Sequence, residues 1–149
     1  DAAAATFLRK IVRLSPRNGA LVAGLSGDLG AGKTAFAKAC AKVMGIRETV
    51  ISPTFVLERI YNIPPGNSLA KKFSRFIHID GYRLSGEREL RHLGWDEIAK
   101  DSRNIVFVEW PEVVKKAIPK DTIYIRFKHI DEATREIIFN VKLKRQNTK

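Results

Sequence analysis

The 149-residue sequence has a single cysteine and no long apolar run. Because Cys40 has no partner in the chain, an intrachain disulfide is excluded, which fits a reducing compartment. No apolar segment approaches the ~20 residues of a membrane-spanning helix, and the amphipathic N-terminal stretch is unlike a signal peptide. We therefore expect one cytoplasmic domain over residues 1–149, without membrane contact and with a frayed tail over residues 145–149.

Two further chemical signatures are missing. The histidines His78, His92 and His129 have no cysteine or histidine companion at metal-ligand spacing, which argues against a zinc site. We expect His78 to make a local hydrogen bond. The sequence also has no Asn-Lys-x-Asp motif of the kind that reads guanine, so adenine is the expected base of any bound nucleotide.

Acidic residues are scarce, with 16 Asp and Glu against 27 Lys and Arg, which gives a formal net charge of +11. Residues 1–75 carry 12 basic and 4 acidic side chains, whereas residues 76–149 carry 15 and 12. This asymmetry permits contact with RNA or with an acidic protein surface, and ordinary solvated surface charge is the alternative. Because no RNA-reading motif accompanies the charge, the charge alone does not establish direct RNA recognition.

The strongest motif is the segment Gly27–Thr34, which reads GDLGAGKT. It matches the phosphate-binding P-loop pattern, in which glycines let backbone N–H groups approach an anion. Lys33 can reach the β- and γ-phosphates, and the Thr34 hydroxyl can bind Mg²⁺. The residues that we expect around the phosphates are Asp28, Leu29, Gly30, Ala31, Gly32, Lys33, Thr34 and Ala35.

The segments that flank this loop have the character that a P-loop requires. The apolar run at 20–26 has the length of a buried parallel strand. After the loop, Phe36, Cys40 and Val43 recur at helical spacing, and Gly45 is placed to end the helix. A glycine-rich turn that binds nothing is the alternative. The agreement of strand, loop and helix favours binding of ATP or ADP together with Mg²⁺.

Two carboxylates follow apolar segments, Asp80 after FIHI and Glu109 after NIVFV. Ligands of open α/β sheets bind at the carboxyl ends of the strands, and we expect both segments to lie beside the P-loop strand. With Thr34, the two carboxylates offer the hard oxygen ligands that Mg²⁺ requires. One is expected to bind the metal and the other to orient water or the hydrated ion. Solvated turn residues are the alternative.

The remaining elements follow from hydrophobic periodicity and turn residues. We predict a first helix over 1–14, a basic loop over 62–75, two helical pieces over 85–98 broken at Gly94, and a hairpin of strands 123–128 and 137–144. Together these segments predict an α/β P-loop NTPase fold. Its central mixed sheet has a parallel core and antiparallel strands, with helices on both faces.

Four motifs occur in the order SGDLGAGKT, SPTF at 52–55, HIDGYR at 78–83 and VEWP at 108–111. Together they resemble the TsaE family of small P-loop ATPases. The resemblance implies Mg²⁺-dependent ATP hydrolysis that supports the tRNA modification t6A37 by binding and resetting the TsaB–TsaD complex, with weak turnover without these partners. A P-loop small-molecule kinase is the alternative enzyme. A basic RNA-binding component that uses nucleotide as a structural switch is the non-enzymatic alternative.

The resemblance also implies roles for single residues. Lys33 corresponds to the phosphate-binding lysine, Thr34 and Glu109 to the magnesium ligands, and Asp80 to the acid that positions or activates water. Four further positions are expected near the nucleotide: Thr54, Trp110, Glu112 and Arg135. Their alternatives are a capping hydroxyl for Thr54, core packing for Trp110, and surface charge for the other two.

The sequence departs from the family at Gly81, where a large apolar residue is usual. From this departure we expect a looser turn after Asp80. Arg83 corresponds to the arginine of the same motif, where it either stabilises phosphate charge or forms a structural salt bridge.

Overall fold

The structure, a computed structural model, describes residues 2–14, 18–51 and 56–140. Thr54 and the predicted frayed tail lie outside the described residues. The helices and strands are α1 (Ala2–Val12), β1 (Leu21–Ser26), α2 (Lys33–Val43), β2 (Glu58–Asn62), β3 (Arg75–Asp80), α3 (Glu87–His92), α4 (Trp95–Lys100), β4 (Asn104–Glu109), β5 (Ile123–His129) and β6 (Arg135–Asn140). Short 3-10 helices span Ser68–Lys71, Gly81–Arg83 and Pro111–Val114.

The described strands form one sheet in the order β2–β3–β4–β1–β5–β6. The central strands β3, β4, β1 and β5 are parallel, and β2 and β6 pair antiparallel at the two edges. The predicted parallel core with added antiparallel strands is therefore confirmed. The expectation that both acid-ending strands lie beside β1 is correct only for β4, because β4 separates β3 from β1.

Buried apolar side chains form a core on each face of the sheet. On one face α1 and α2 pack against alternate strand residues, and Phe7 of α1 and Phe36 of α2 are buried there. On the other face α3, α4 and the 3-10 helix Pro111–Val114 bury Leu90, Trp95 and Val114. This arrangement confirms the prediction of helices on both faces.

Two sequence predictions about connecting segments have different outcomes. The helical pieces of 85–98 do separate at Gly94, whose φ of 82° ends the first piece and begins the second. The segment 62–75, in contrast, is not simply an exposed loop. The side chain of Asn67 accepts the Leu69 N–H at 3.0 Å at the start of a 3-10 helix, and Leu69 and Phe73 are buried. Its consecutive prolines had favoured a loop.

No helix within the described residues combines the length and apolar character needed to cross a bilayer. The longest, α1 and α2, have 11 residues each and present a polar side to solvent.

An aromatic cluster centred on Phe36 fixes α2 on the sheet. The Phe36 ring centroid lies 5.8 Å from that of Phe7, 5.4 Å from that of Phe127 and 6.1 Å from that of Phe107. Such pairs add ~0.5–1.5 kcal/mol each beyond the burial of their area. Because α2 begins at the end of the P-loop, this cluster also holds the loop in place.

Replacing Phe36 with alanine should lower the free energy of unfolding by ~3–5 kcal/mol, because it leaves a cavity among the surrounding rings. Phe36→Leu, which retains most of the volume, should lose less than half as much. Urea unfolding followed by circular dichroism measures both changes. A loss below ~1 kcal/mol for the alanine variant would show that the cluster does not anchor α2.

Candidate nucleotide-binding site

The loop between β1 and α2 depends on its glycines for its shape. Gly27, Gly30 and Gly32 have φ values of 146°, 76° and 104°, a region that residues with a Cβ rarely adopt. A Cβ on Gly27 would also lie 2.5 Å from the carbonyl oxygen of Phe127 in β5. The glycines of the motif are therefore required both by backbone conformation and by the close approach of a neighbouring strand.

Lys33 is buried beneath this loop at the start of α2. Its Nζ donates to the carbonyl oxygens of Gly27 and Asp28, the latter at 2.8 Å. Burial lowers the pKa of the ammonium, while the charges of Glu109 and Asp28 oppose that shift. An ammonium group has three N–H donors, so two contacts to the loop orient Lys33 and leave a third N–H for a phosphate oxygen.

Glu109 joins three elements at the carboxyl end of β4. Its Oε1 accepts a hydrogen bond from Thr34 Oγ1 at 3.0 Å and lies 2.8 Å from Nε2 of His78. Burial by itself would raise the pKa of Glu109. The bonds from His78 and Thr34 and the charge of Lys33 together outweigh burial, so the pKa lies below its usual value. The carboxylate is therefore held ionised although it is only 4% exposed.

Asp80 stands next to Glu109 because β3 and β4 pair in parallel with these two residues opposite each other. Asp80 is 3% exposed, and its Oδ1 accepts the N–H of Tyr82 at 2.9 Å. That bond begins the 3-10 helix Gly81–Arg83 and fixes the carboxylate. The two predicted acids therefore meet at the carboxyl edge of the sheet.

The P-loop and the two strand ends enclose a cleft of about 280 Å³. It is lined by Leu29, Gly30, Gly32, Lys33, Thr34, Ala35, Asp80, Tyr82, Glu109 and Trp110. Of the remaining predicted loop residues, Asp28 acts through its carbonyl oxygen on Lys33, and Ala31 is buried under the loop. Tyr82 was not predicted as a site residue, although its position in the HIDGYR motif was a signal.

Two of the residues carried over from the family do not line the cleft in the described part of the chain. Glu112 is exposed on the 3-10 helix Pro111–Val114 and acts on Lys33 only through its charge. Arg135 begins β6, where its Nη1 donates to the carbonyl oxygens of Asp131 and Thr134 at 2.7 and 3.2 Å. The assignment of Thr54 stays a prediction.

Trp110 has an unusual backbone conformation for a bulky residue, with φ and ψ both at 54°. Its N–H donates to the carbonyl oxygen of Leu25 in β1 at 3.1 Å. The indole centroid lies 4.6 Å from Nζ of Lys33 and 5.1 Å from the Tyr82 ring. Such strain, of order 1–3 kcal/mol, is typical of functional sites. Trp110 therefore faces the cleft and is not a core residue.

His78 is the site residue whose role the sequence interpretation missed. It was expected to bond locally, but its partner Glu109 lies on the neighbouring strand, 31 residues away in sequence. Its ring is fully buried, and Nδ1 has no hydrogen-bond partner. Because Glu109 accepts the bond, Nε2 carries the proton. The period of two along β3, which places His78 on the same face as Asp80, was the available signal.

The turn after Asp80 is tighter than expected from Gly81. A Cβ at this buried glycine would lie 2.6 Å from the Glu109 carbonyl oxygen and 2.9 Å from that of Trp110. The expectation of a looser turn was therefore wrong. In this chain glycine allows the ends of β3 and β4 to approach closely, which keeps Asp80 beside Glu109.

The oxygen atoms of Thr34 and Glu109 fit a magnesium ion. Octahedral Mg²⁺ binds oxygens at ~2.0–2.1 Å, which places adjacent ligands ~3 Å apart. The observed separation of Thr34 Oγ1 and Glu109 Oε1 is 3.0 Å. No group of three or more His, Cys, Asp or Glu side chains suited to a metal occurs in the described residues. The donor set therefore suits an ion that takes its other ligands from water and phosphate.

Comparison with known proteins gives matches over most of the chain. The family model "Threonylcarbamoyl adenosine biosynthesis protein TsaE" matches residues 2–137. The protein named "tRNA threonylcarbamoyladenosine biosynthesis protein TsaE" from Borreliella burgdorferi is 36% identical over 100 residues, which cover 67% of this chain and 66% of that protein. The protein of the same name from Bacillus subtilis is 36% identical over 117 residues, or 77% of this chain and 66% of that protein. This chain thus spans about two thirds of the length of these relatives.

A solved structure supports the same relationship. The crystal structure of Bacillus subtilis YdiB covers 83% of this chain and 69% of its own, with a TM-score of 0.61 and 31% identity. The predicted P-loop NTPase fold is thereby confirmed. From the family match, the identities and the shared fold, the chain belongs to the TsaE family.

Proposed function

We propose that this protein is a Mg²⁺-dependent ATPase whose ATP hydrolysis supports formation of t6A in tRNA. The observation that carries the proposal is the hydrogen-bonded junction at Glu109, where the start of α2 meets the ends of β3 and β4. This junction unites a phosphate-binding loop with two carboxylates in one cleft.

The loop and Lys33 would bind the phosphates. Backbone N–H groups of the loop and the first turn of α2 attract negative charge. Lys33 is held by the loop carbonyls with its ammonium at the cleft, so it neutralises phosphate charge without a large rearrangement. Preorganised donors of this kind stabilise the charge that develops during phosphoryl transfer.

Thr34 and Glu109 would hold the magnesium ion, which when bound neutralises the β- and γ-phosphate oxygens. His78 supports Glu109, because its Nε2–H donates to the carboxylate and fixes its orientation. Partners of this kind tune a metal site although they do not touch the metal.

Asp80 would orient the attacking water. It lines the same cleft as Lys33 and Thr34, and the Tyr82 N–H fixes one of its oxygens. A carboxylate that is held rigidly can accept a hydrogen bond from water and aim its lone pair along the line of attack. The products would be ADP and inorganic phosphate.

The biological role rests on the relatives. Proteins from Borreliella burgdorferi and Bacillus subtilis carry the name "tRNA threonylcarbamoyladenosine biosynthesis protein TsaE", and we extend that process to this chain. We further propose that ATP hydrolysis resets the TsaB–TsaD complex between turnovers. In that role the isolated chain turns ATP over slowly.

The Lys33→Ala variant should lower ATP turnover in the presence of TsaB–TsaD by ~100-fold or more, because it removes a donor to the phosphates. Lys38→Ala is the matched control, since Lys38 is exposed on the same helix. Phosphate release, measured with and without TsaB–TsaD, should rise with the partners and be lost only in the Lys33 variant. Turnover that ignores the partners but is stimulated by a small hydroxylated metabolite would instead identify a kinase.

The His78→Phe variant should raise the Mg²⁺ concentration that gives half-maximal turnover by ~10-fold or more, because Glu109 loses its supporting donor. His78→Gln should restore part of the loss, since a side-chain amide can donate to the same carboxylate. Titrations of ATP turnover against Mg²⁺ measure both variants. An unchanged Mg²⁺ requirement in His78→Phe would contradict the supporting role.

A further inference from the structure

The positive charge of this chain is concentrated on one face of the sheet. The helices α1 and α2 and the 3-10 helix Ser68–Lys71 belong to the same core cluster, and α3 and α4 pack on the opposite face. We call the outer surface of the first set the basic face. Its exposed basic side chains include Arg9, Lys10, Arg13, Lys38, Lys42 and Lys71.

The segments that form the basic face contain no acidic residue. Neither Asp nor Glu occurs in residues 2–14, 33–43 or 63–74. The opposite layer, residues 87–100 and 111–116, carries five acidic and five basic residues, so its net charge is zero. The imbalance between the two halves of the sequence is therefore an imbalance between the two faces of the folded chain.

Part of this charge stabilises the fold. Nζ of Lys72 donates to the carbonyl oxygens of Val12 and Leu14, the latter at 3.2 Å, and so satisfies the end of α1. Arg9 and Lys10 lie in the last turn of α1, where positive charge complements the helix dipole. Lys38 has neither role, since it lies in the middle of α2.

We propose that the basic face binds the phosphate backbone of RNA. Large exposed apolar side chains of the described residues lie elsewhere, at Leu29, Ile51, Val56, Ile60, Tyr82 and Ile130. The buried centre of a protein–protein interface is depleted in charge and enriched in aromatic residues, whereas nucleic-acid interfaces are polar and strongly positive. The composition of this face therefore favours RNA over an acidic protein.

The basic face is separate from the nucleotide cleft. Lys33 lies in the cleft at the start of α2, whereas Lys38 and Lys42 are exposed further along the same helix. No basic side chain named for the face lines the cleft. The inference therefore does not rest on ATP hydrolysis, and RNA binding can be tested while turnover is used as a measure of folding.

The test compares two variants with equal loss of charge. The first replaces Lys10, Arg13, Lys38 and Lys71 with glutamine, which retains helix propensity. The control replaces Arg88, Arg91, Lys115 and Lys116 of the opposite layer with glutamine. Binding of a labelled, unmodified tRNA transcript to the full chain is followed by fluorescence anisotropy over a range of KCl concentrations. Circular dichroism and ATP turnover verify the fold of both variants.

Binding by the unaltered chain should weaken steeply with salt, because each neutralised phosphate releases counterions. The basic-face variant should reduce the slope of log affinity against log salt by ~3 and weaken binding at least ~10-fold at low salt. The control should change affinity less than ~2-fold.

Equal weakening by both variants would overturn the proposal, since it would show an effect of net charge alone. Weak, salt-insensitive RNA binding by the unaltered chain would also overturn it. If poly-glutamate bound tightly to the unaltered chain and not to the basic-face variant, the basic face would instead be a binding surface for an acidic protein.

Discussion

The hydrogen bond from Thr34 to Glu109 is the contact on which the site depends. Thr34 belongs to the helix that begins at the P-loop, and Glu109 ends a strand 75 residues later in the chain. The parallel pairing of β1 with β4, in which Leu25 stands opposite Glu109, brings the two together. A shift of this register by one residue would turn Glu109 to the other face of the sheet and separate it from Thr34 and His78.

The parts of the site that are local in sequence could be predicted from it. Lys33 and Thr34 were recognised from the spacing of the glycines in one loop. Asp80 and Glu109 were recognised because each follows an apolar strand. His78 could not be assigned, because its role depends on which strand lies beside β3 and in what register. The same limit applies to the order of strands, since the sequence did not show that β4 separates β3 from β1.

Single residues that were assigned to the site by family resemblance alone had mixed outcomes. Trp110 faces the cleft with its indole over Lys33, whereas Arg135 donates to carbonyl oxygens of its own turn. Gly81 shows the opposite case, where a departure from the family pattern suits this chain because no Cβ fits between the ends of β3 and β4. The segment 62–75 was predicted to be an exposed loop because of its prolines, but its side chains Leu69 and Phe73 are buried.

We propose that Thr34 and Glu109 make ATP binding depend on magnesium. Calorimetric titration of ATP into the protein and into the Glu109→Gln variant, with Mg²⁺ and again with EDTA, tests this dependence. Mg²⁺ should tighten binding to the unaltered chain, and Glu109→Gln should remove most of the difference. Equal affinities with and without Mg²⁺, or a Glu109→Gln variant that keeps the full magnesium effect, would contradict it.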